Sequence, residues 1–281
     1  MQEASVLVGT HQLTGVLAVP TGARALVLFA HGSGSSRHSP RNRHVAKMLH
    51  GHGLATLLFD LLDAREGQDR RLVFDIPLLV RRLADAIDWA GRQQGLARLP
   101  VGLFGASTGA AAALVASALR PGRVHSIVCR GGRPDLAGSA LPAVTAPTLM
   151  VVGGADQDVL DLNEQAIARM RAPTRLKIIP GASHLFEEPG TLDRVALLAA
   201  QWFCDHVPQR APVHTGTAAV RTTEEAALHP ASSAAMVAVA AETASSVERR
   251  RGDERRRWPR PVAATPTRPG PPASGPLRAG R

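Results

Sequence analysis

Residues 100–119, PVGLFGASTGAAAALVASAL, change character at their middle. The first five are an apolar run of the kind that forms a buried strand, and the last twelve form a helical pattern packed by small residues. Between them stands Gly105-Ala106-Ser107-Thr108-Gly109, a G-x-S-x-G sequence. In a chain with 26 glycines that pattern alone is weak evidence. Its setting strengthens it. Strand, sharp turn and helix make a nucleophile elbow, where flanking glycines relieve crowding around a strained serine whose hydroxyl stands above the sheet edge. A tight strand-to-helix turn with an incidental serine is the alternative that these residues leave open.

Working outward, apolar runs at 15–19, 25–29, 55–59, 124–129, 148–152 and 175–179 predict further strands. Helical stretches are clearest at 76–94, 108–119, 161–171 and 191–206. Strands that are apolar throughout and alternate with helices imply an α/β fold, a mostly parallel central sheet buried on both faces by flanking helices. The first two runs, joined by a turn at 20–22, are expected to be its antiparallel start. The chain shows no internal repeat.

A serine is a poor nucleophile at neutral pH and needs a base, itself oriented by an acid. In such a fold the partners follow in the order Ser, Asp, His. After the strand at 148–152 comes Gly153-Gly154-Ala155-Asp156-Gln157-Asp158-Val159, a carboxylate in the loop at a strand's C-terminal end. After the strand at 175–179 comes Gly181-Ala182-Ser183-His184-Leu185-Phe186, an imidazole in the next such loop. His184, taken alone among eleven histidines, would be a polar loop residue; as the third member of an ordered set it is the candidate base. Asp156 is the preferred acid, with Asp158 as the alternative acid or as a cap for a helix starting near Val159.

Acyl transfer also needs N–H donors where negative charge develops. The loop His31-Gly32-Ser33-Gly34-Ser35 follows the strand at 25–29, so the amides of Ser33 or Gly34 can supply one donor and that of Thr108, directly after the nucleophile, the other. His31 precedes the serine, which breaks the expected order of a base. It is expected to hold its loop by hydrogen bonds.

HGSGSS, GASTG, GGADQDV and GASHLF, in that order over about residues 12–206, resemble the α/β-hydrolase superfamily and, within it, the small dienelactone hydrolase-like group. The resemblance implies an α/β-hydrolase fold and a Ser107, Asp156, His184 triad with no metal and no organic cofactor. Dienelactone hydrolases proper have a cysteine nucleophile, and this elbow has Ser107, so lactones are one substrate option beside other carboxylic esters, thioesters and peptides. The short stretch between Val128 and the acid strand leaves no room for a large lid. Domains similar to this one also occur in chains described as phosphoribosyltransferases, generally through a fused second domain. That activity requires an acidic pair after an apolar strand leading into a Thr-Gly loop, and Ser107-Thr108-Gly109 is entered from Leu103-Phe104-Gly105-Ala106 instead. A transferase assignment is rejected.

The 281 residues carry a net charge of +10, and it is unevenly spread. Residues 207–281 hold twelve arginines against six acidic residues, and 10 of the 21 prolines. Such a segment cannot bury enough apolar surface to offset its ordering entropy, so a hydrolase domain over 1–206 and a disordered Arg/Pro/Ala-rich tail over 207–281 are expected. The tail holds a single aromatic, Trp258, so any binding to nucleic acid is expected to be weak, sequence-blind and salt-dependent. Two cysteines make no disulfide scaffold, and Cys129 and Cys204 read as small buried hydrophobes. With neither a signal sequence nor a spanning segment visible, a cytoplasmic location without membrane contact is expected.

Substrate recognition is sought in the arginine-rich loops. Arg130-Gly131-Gly132-Arg133-Pro134-Asp135 emerges on the same sheet edge as Ser107, where open α/β sheets bind ligands. Arg130 and Arg133 are candidates for holding an anionic acyl substrate, with Arg37, Arg41 and Arg43 beside them. Solvated arginines, or arginines paired with Asp135, Glu187 or Glu188, are the alternative. The functional expectation is a serine hydrolase of a small ester, lactone or thioester. A catalytically silent hydrolase-fold binding module, its basic tail holding polyanions weakly, is the alternative class.

Overall fold

The structure is a computed structural model that describes residues 1–208. The expectation of a disordered tail therefore lies, past residue 208, outside the described residues. In chain order the elements are β1 (Gln2–Val8), β2 (Leu13–Val19), β3 (Ala25–Ala30), α1 (Pro40–Gly51), β4 (Leu54–Phe59), the single turn α2 (Arg70–Val73), α3 (Ile76–Ala90), β5 (Val101–Ala106), α4 (Thr108–Leu119), β6 (Val124–Arg130), β7 (Thr148–Gly153), α5 (Gln157–Ile167), β8 (Thr174–Ile179) and α6 (Thr191–Asp205). They build one eight-stranded sheet in the order β1-β2-β4-β3-β5-β6-β7-β8. From β4 to β8 every pairing is parallel. Among the described residues no helix is long and apolar enough to cross a membrane.

Successive residues of the central strands point to opposite faces, and both faces are buried. Leu26, Leu28, Leu103, Ile127 and Cys129 pack toward α3 and α4. Val27, Phe29, Phe104 and Val128 pack toward α1 and α6, against Val45, Leu49, Val195 and Phe203. This double burial is why these strands are apolar without alternation. Cys129 is fully buried, and desolvation pushes its thiol up to about 12, so it is a packing residue.

The antiparallel start differs from expectation. β2 pairs not with β3 but with β1 on one side and β4 on the other, antiparallel to both. The residues Gln2–Ser5 are exposed, so β1 shows none of the apolar run that marks the inner strands. Helix α1 was likewise not expected. Ser39 caps it by accepting from the Asn42 N–H at 3.3 Å, with Pro40 at its first position.

Candidate active site

Ser107 sits between β5 and α4 with φ +50° and ψ −121°. For a residue with a Cβ that conformation is worth about 1–3 kcal/mol of strain, so the surroundings must enforce it. They do so through the backbone: the Ser107 N–H donates to the Arg130 carbonyl (3.2 Å), while the N–H groups of Ala110 (3.0 Å) and Arg133 (3.1 Å) donate to the Ser107 carbonyl. The flanking glycines are required by close approach. A Cβ on Gly105 would lie 2.5 Å from the Ala110 Cα, and one on Gly109 would fall on the Ala30 carbonyl oxygen. Gly109→Ala is expected to destabilise the chain by about 1–3 kcal/mol or more, read as a melting temperature lowered by roughly 3–10 °C. An unchanged melting temperature would show that α4 can slide away from β3 freely.

Asp156 stands at the N-cap position of α5, yet its side chain caps nothing. Its Oδ2 lies 2.6 Å from His184 Nδ1. A carboxylate only accepts, so Nδ1 carries the proton and Nε2 is left as the basic nitrogen. Asp158 lies in the first turn of α5 and is exposed. Helix α5 begins four residues earlier than expected, and this puts Asp156 rather than Asp158 at the loop-to-helix junction that faces the histidine.

The histidine loop is pinned at several points. The Ala155 N–H donates to the Ala182 carbonyl (2.9 Å), and the Ser183 N–H to Glu188 Oε2 (3.0 Å). That Ser183 bond, the largest cause, holds the Glu188 carboxyl below its ordinary value. Phe186 takes a left-handed φ of +56° to bury its ring beside α6. His184 reaches back across the sheet, since a Cβ on Gly131 would lie 3.5 Å from His184 Cε1 and Nδ1. Residues 130 and 131 thus touch the serine's backbone on one side and the imidazole on the other. Among the described residues no hydrogen bond joins Ser107 Oγ to His184, a link that in unliganded enzymes commonly tightens only with substrate.

The loop after β3 lies against Ser107: a Cβ on Gly32 would be 3.0 Å from the Ser107 Cβ. The Ser33 N–H donates to Thr108 Oγ1 at 3.0 Å, tying that loop to the elbow, and Gly34 turns with φ +68°. His31 is buried with both ring nitrogens committed. Nε2 accepts from the Leu61 N–H (3.0 Å) and Nδ1 lies 3.0 Å from the Gly32 carbonyl. It is a loop holder and not a base.

Burial lowers the His31 pKa. An unfolded imidazole titrates near about 6.5, so just below that pH the unfolded chain binds more protons and stability falls as pH falls. His50 and His125, also held down chiefly by burial, act in the same sense. The melting temperature is expected to drop from pH 7.5 to about 5, and to drop less in His31→Gln. Equal drops in both proteins would show that His31 takes no part.

The arginines divide. Arg133 makes a bidentate pair with Asp135, 2.9 Å at each contact, and Arg37 is paired with Asp60. Arg41 Nη1 lies 3.6 Å from Glu187 Oε1. Arg130 is buried, and its Nε and Nη1 have no hydrogen-bond partner among the described residues. Sequence reasoning grouped Arg130 with Arg133; the structure separates them, because Asp135 two residues on takes up the latter.

Residues 23–197 match the family model of an alpha/beta hydrolase domain. The chain is similar to the crystal structure of a dienelactone hydrolase from Anabaena variabilis, with 55% identity over 74% of this chain and 99% of that one, at a TM-score of 0.71. It also resembles the esterase domain of a Rhodothermus marinus protein, at 18% identity over 74% of this chain and 100% of that one, with a TM-score of 0.60; this likeness shows the fold alone. A Mycobacterium tuberculosis protein named "Putative phosphoribosyl transferase" is 56% identical over 206 residues, which are 73% of this chain and 46% of that one. The chain thus spans about half the length of the curated relatives it matches.

Proposed function

Since the chain belongs to the α/β-hydrolase family, in its dienelactone hydrolase-like group, we propose that it is a serine hydrolase cleaving a small carboxylic ester, lactone or thioester through an acyl-enzyme. One observation carries this: the 2.6 Å bond between His184 Nδ1 and Asp156, on the sheet edge where Ser107 is held in its strained turn.

In this proposal Ser107 Oγ attacks the acyl carbon while its proton passes to His184 Nε2. The bond to the leaving oxygen or sulfur breaks as His184 returns that proton to it. Water then attacks the acyl-serine, again giving a proton to Nε2, and Ser107 leaves reprotonated with the carboxylic acid free. Both halves balance with water as the sole co-reactant, so no metal or organic cofactor is called for. Asp156 keeps Nδ1–H oriented and stabilises the imidazolium that forms in each half. The oxyanion is assigned to the amides of Thr108 and of Ser33 or Gly34. The mycobacterial relatives' name is not carried over, because no acidic pair leads into Ser107-Thr108-Gly109.

A fluorophosphonate probe followed by a panel of esters, thioesters and lactones tests the proposal. Stoichiometric labelling together with turnover of at least one acyl class is the expected result. A folded chain that takes no label and turns over nothing would overturn it in favour of a binding module.

A further inference from the structure

Beside Ser107 stands a buried arginine with no carboxylate partner among the described residues, and a second arginine near it has only a long contact to an exposed glutamate. Arg130 closes β6 opposite Ala106 in the sheet register, one residue before Ser107, and its carbonyl holds the Ser107 N–H. Alternation along β6 puts its side chain on the same face as Val128, the face covered by α1 and α6. Arg41 stands in the first turn of α1, the helix that covers that face. Burial, and second to it the charge of Arg41, brings the Arg130 guanidinium down to about 10.

Arg130 is 7% exposed, and Arg41 Nε is a third buried donor without a partner. Among the described residues no carboxylate forms an ion pair with Arg130. The acid nearest to Arg41 is Glu187, on a side chain 65% exposed and 3.6 Å away. Helix α1 adds to the imbalance, because no acidic residue in its first turn offsets the positive end of its dipole.

Burying an unpaired guanidinium is unfavourable, and bringing a second cation to it is more so. Each is tolerated where an anion completes the set. The donors, planar and forked, suit the oxygens of a carboxylate or a phosphate.

We propose that Arg130 and Arg41 form an anion subsite on the α1/α6 side of Ser107, taking a carboxylate or phosphate group carried by the substrate. That the anion belongs to a substrate rests on the hydrolase assignment; that the pair binds an anion does not.

The test uses the full chain. Calorimetric titrations with inorganic phosphate and with succinate measure the subsite directly, and kcat/KM for a p-nitrophenyl ester bearing a terminal carboxylate is compared with that of a neutral ester of equal length. The expected results are binding of at least one of the two anions, weakened by salt, and a preference of about tenfold or more for the charged ester through KM. Arg41→Gln and Arg130→Gln should each reduce the heat and bring the preference close to unity. Tighter phosphate than succinate would mark a phosphate subsite, and the reverse a carboxylate one. Because Arg130 is buried its replacement can fail to fold. Arg41, on a side chain 35% exposed, then carries the test.

A wild type that binds neither anion and shows no preference, or a preference that survives both substitutions, overturns the subsite. Arginine-dependent anion binding in a protein that cleaves no ester would uphold the subsite and remove the hydrolase assignment. Ester cleavage without anion binding would do the opposite.

Discussion

Ser107→Ala is expected to lower kcat for ester cleavage by about 10⁶-fold and to abolish fluorophosphonate labelling, with a melting temperature within about 2 °C of wild type. The loss is large because the proposed base and acid would have no other nucleophile to serve. The fold is spared because the substitution removes only one oxygen atom, which makes no hydrogen bond among the described residues, while the backbone bonds to Arg130, Ala110 and Arg133 are kept. Ser107→Gly separates strain from chemistry. Glycine tolerates φ +50°, so relief of about 1–3 kcal/mol of strain should outweigh the roughly 0.5–1 kcal/mol that glycine adds in unfolded-state freedom. This equally inactive variant should therefore melt above Ser107→Ala. An alanine variant retaining a tenth of wild-type turnover would remove Ser107 from the proposed role.

Asp156→Asn should lower kcat by about 10⁴-fold and leave the chain folded. An amide at that position can present its NH₂ group to the imidazole, which favours the tautomer with its proton on Nε2, where the serine proton has to go. Asp158→Asn, exposed in the first turn of α5, should change kcat by less than about threefold. The paired measurement matters because the two carboxylates lie two residues apart. The reverse ranking would move the acid to Asp158 and would require the loop before α5 to rearrange on substrate binding.

The stretch around Ser107 was legible because local signals agree there. Apolar strand residues, two glycines and a run of small helix formers all change at one point, and α4 begins and ends where its pattern does. The pairing of Asp156 with His184 was legible from their order along the chain and their places after β7 and β8. That Asp156 rather than Asp158 meets His184 was not, since it depends on where α5 starts, and Gln157 and Asp158 carry no apolar signal before Val159. β1 escaped notice because an edge strand with exposed residues lacks an inner strand's composition, and pairing of β2 with β4 joins segments about forty residues apart that no local pattern can match. α1 did carry a signal in Ser39-Pro40, overshadowed by the basic residues that follow. The contrast between Arg130 and Arg133 is a matter of side-chain direction: they lie three residues apart, but only Arg133 has a carboxylate, Asp135, within a bidentate reach.

The contact between the Ser33 amide and the Thr108 hydroxyl bears on how the enzyme would tell a reacting carbonyl from a resting one. Whatever oxygen draws that amide to itself must displace an acceptor already in place. A neutral ester oxygen is an acceptor of about the same strength as a threonine hydroxyl, so the exchange yields little for a substrate that has merely bound. An alkoxide is a much stronger acceptor and takes the donor outright. With Ser33 among the proposed oxyanion donors, the occupied amide works as a threshold. It would withhold its energy from the ground state and release it as the tetrahedral species forms, which would favour rate over tight substrate binding.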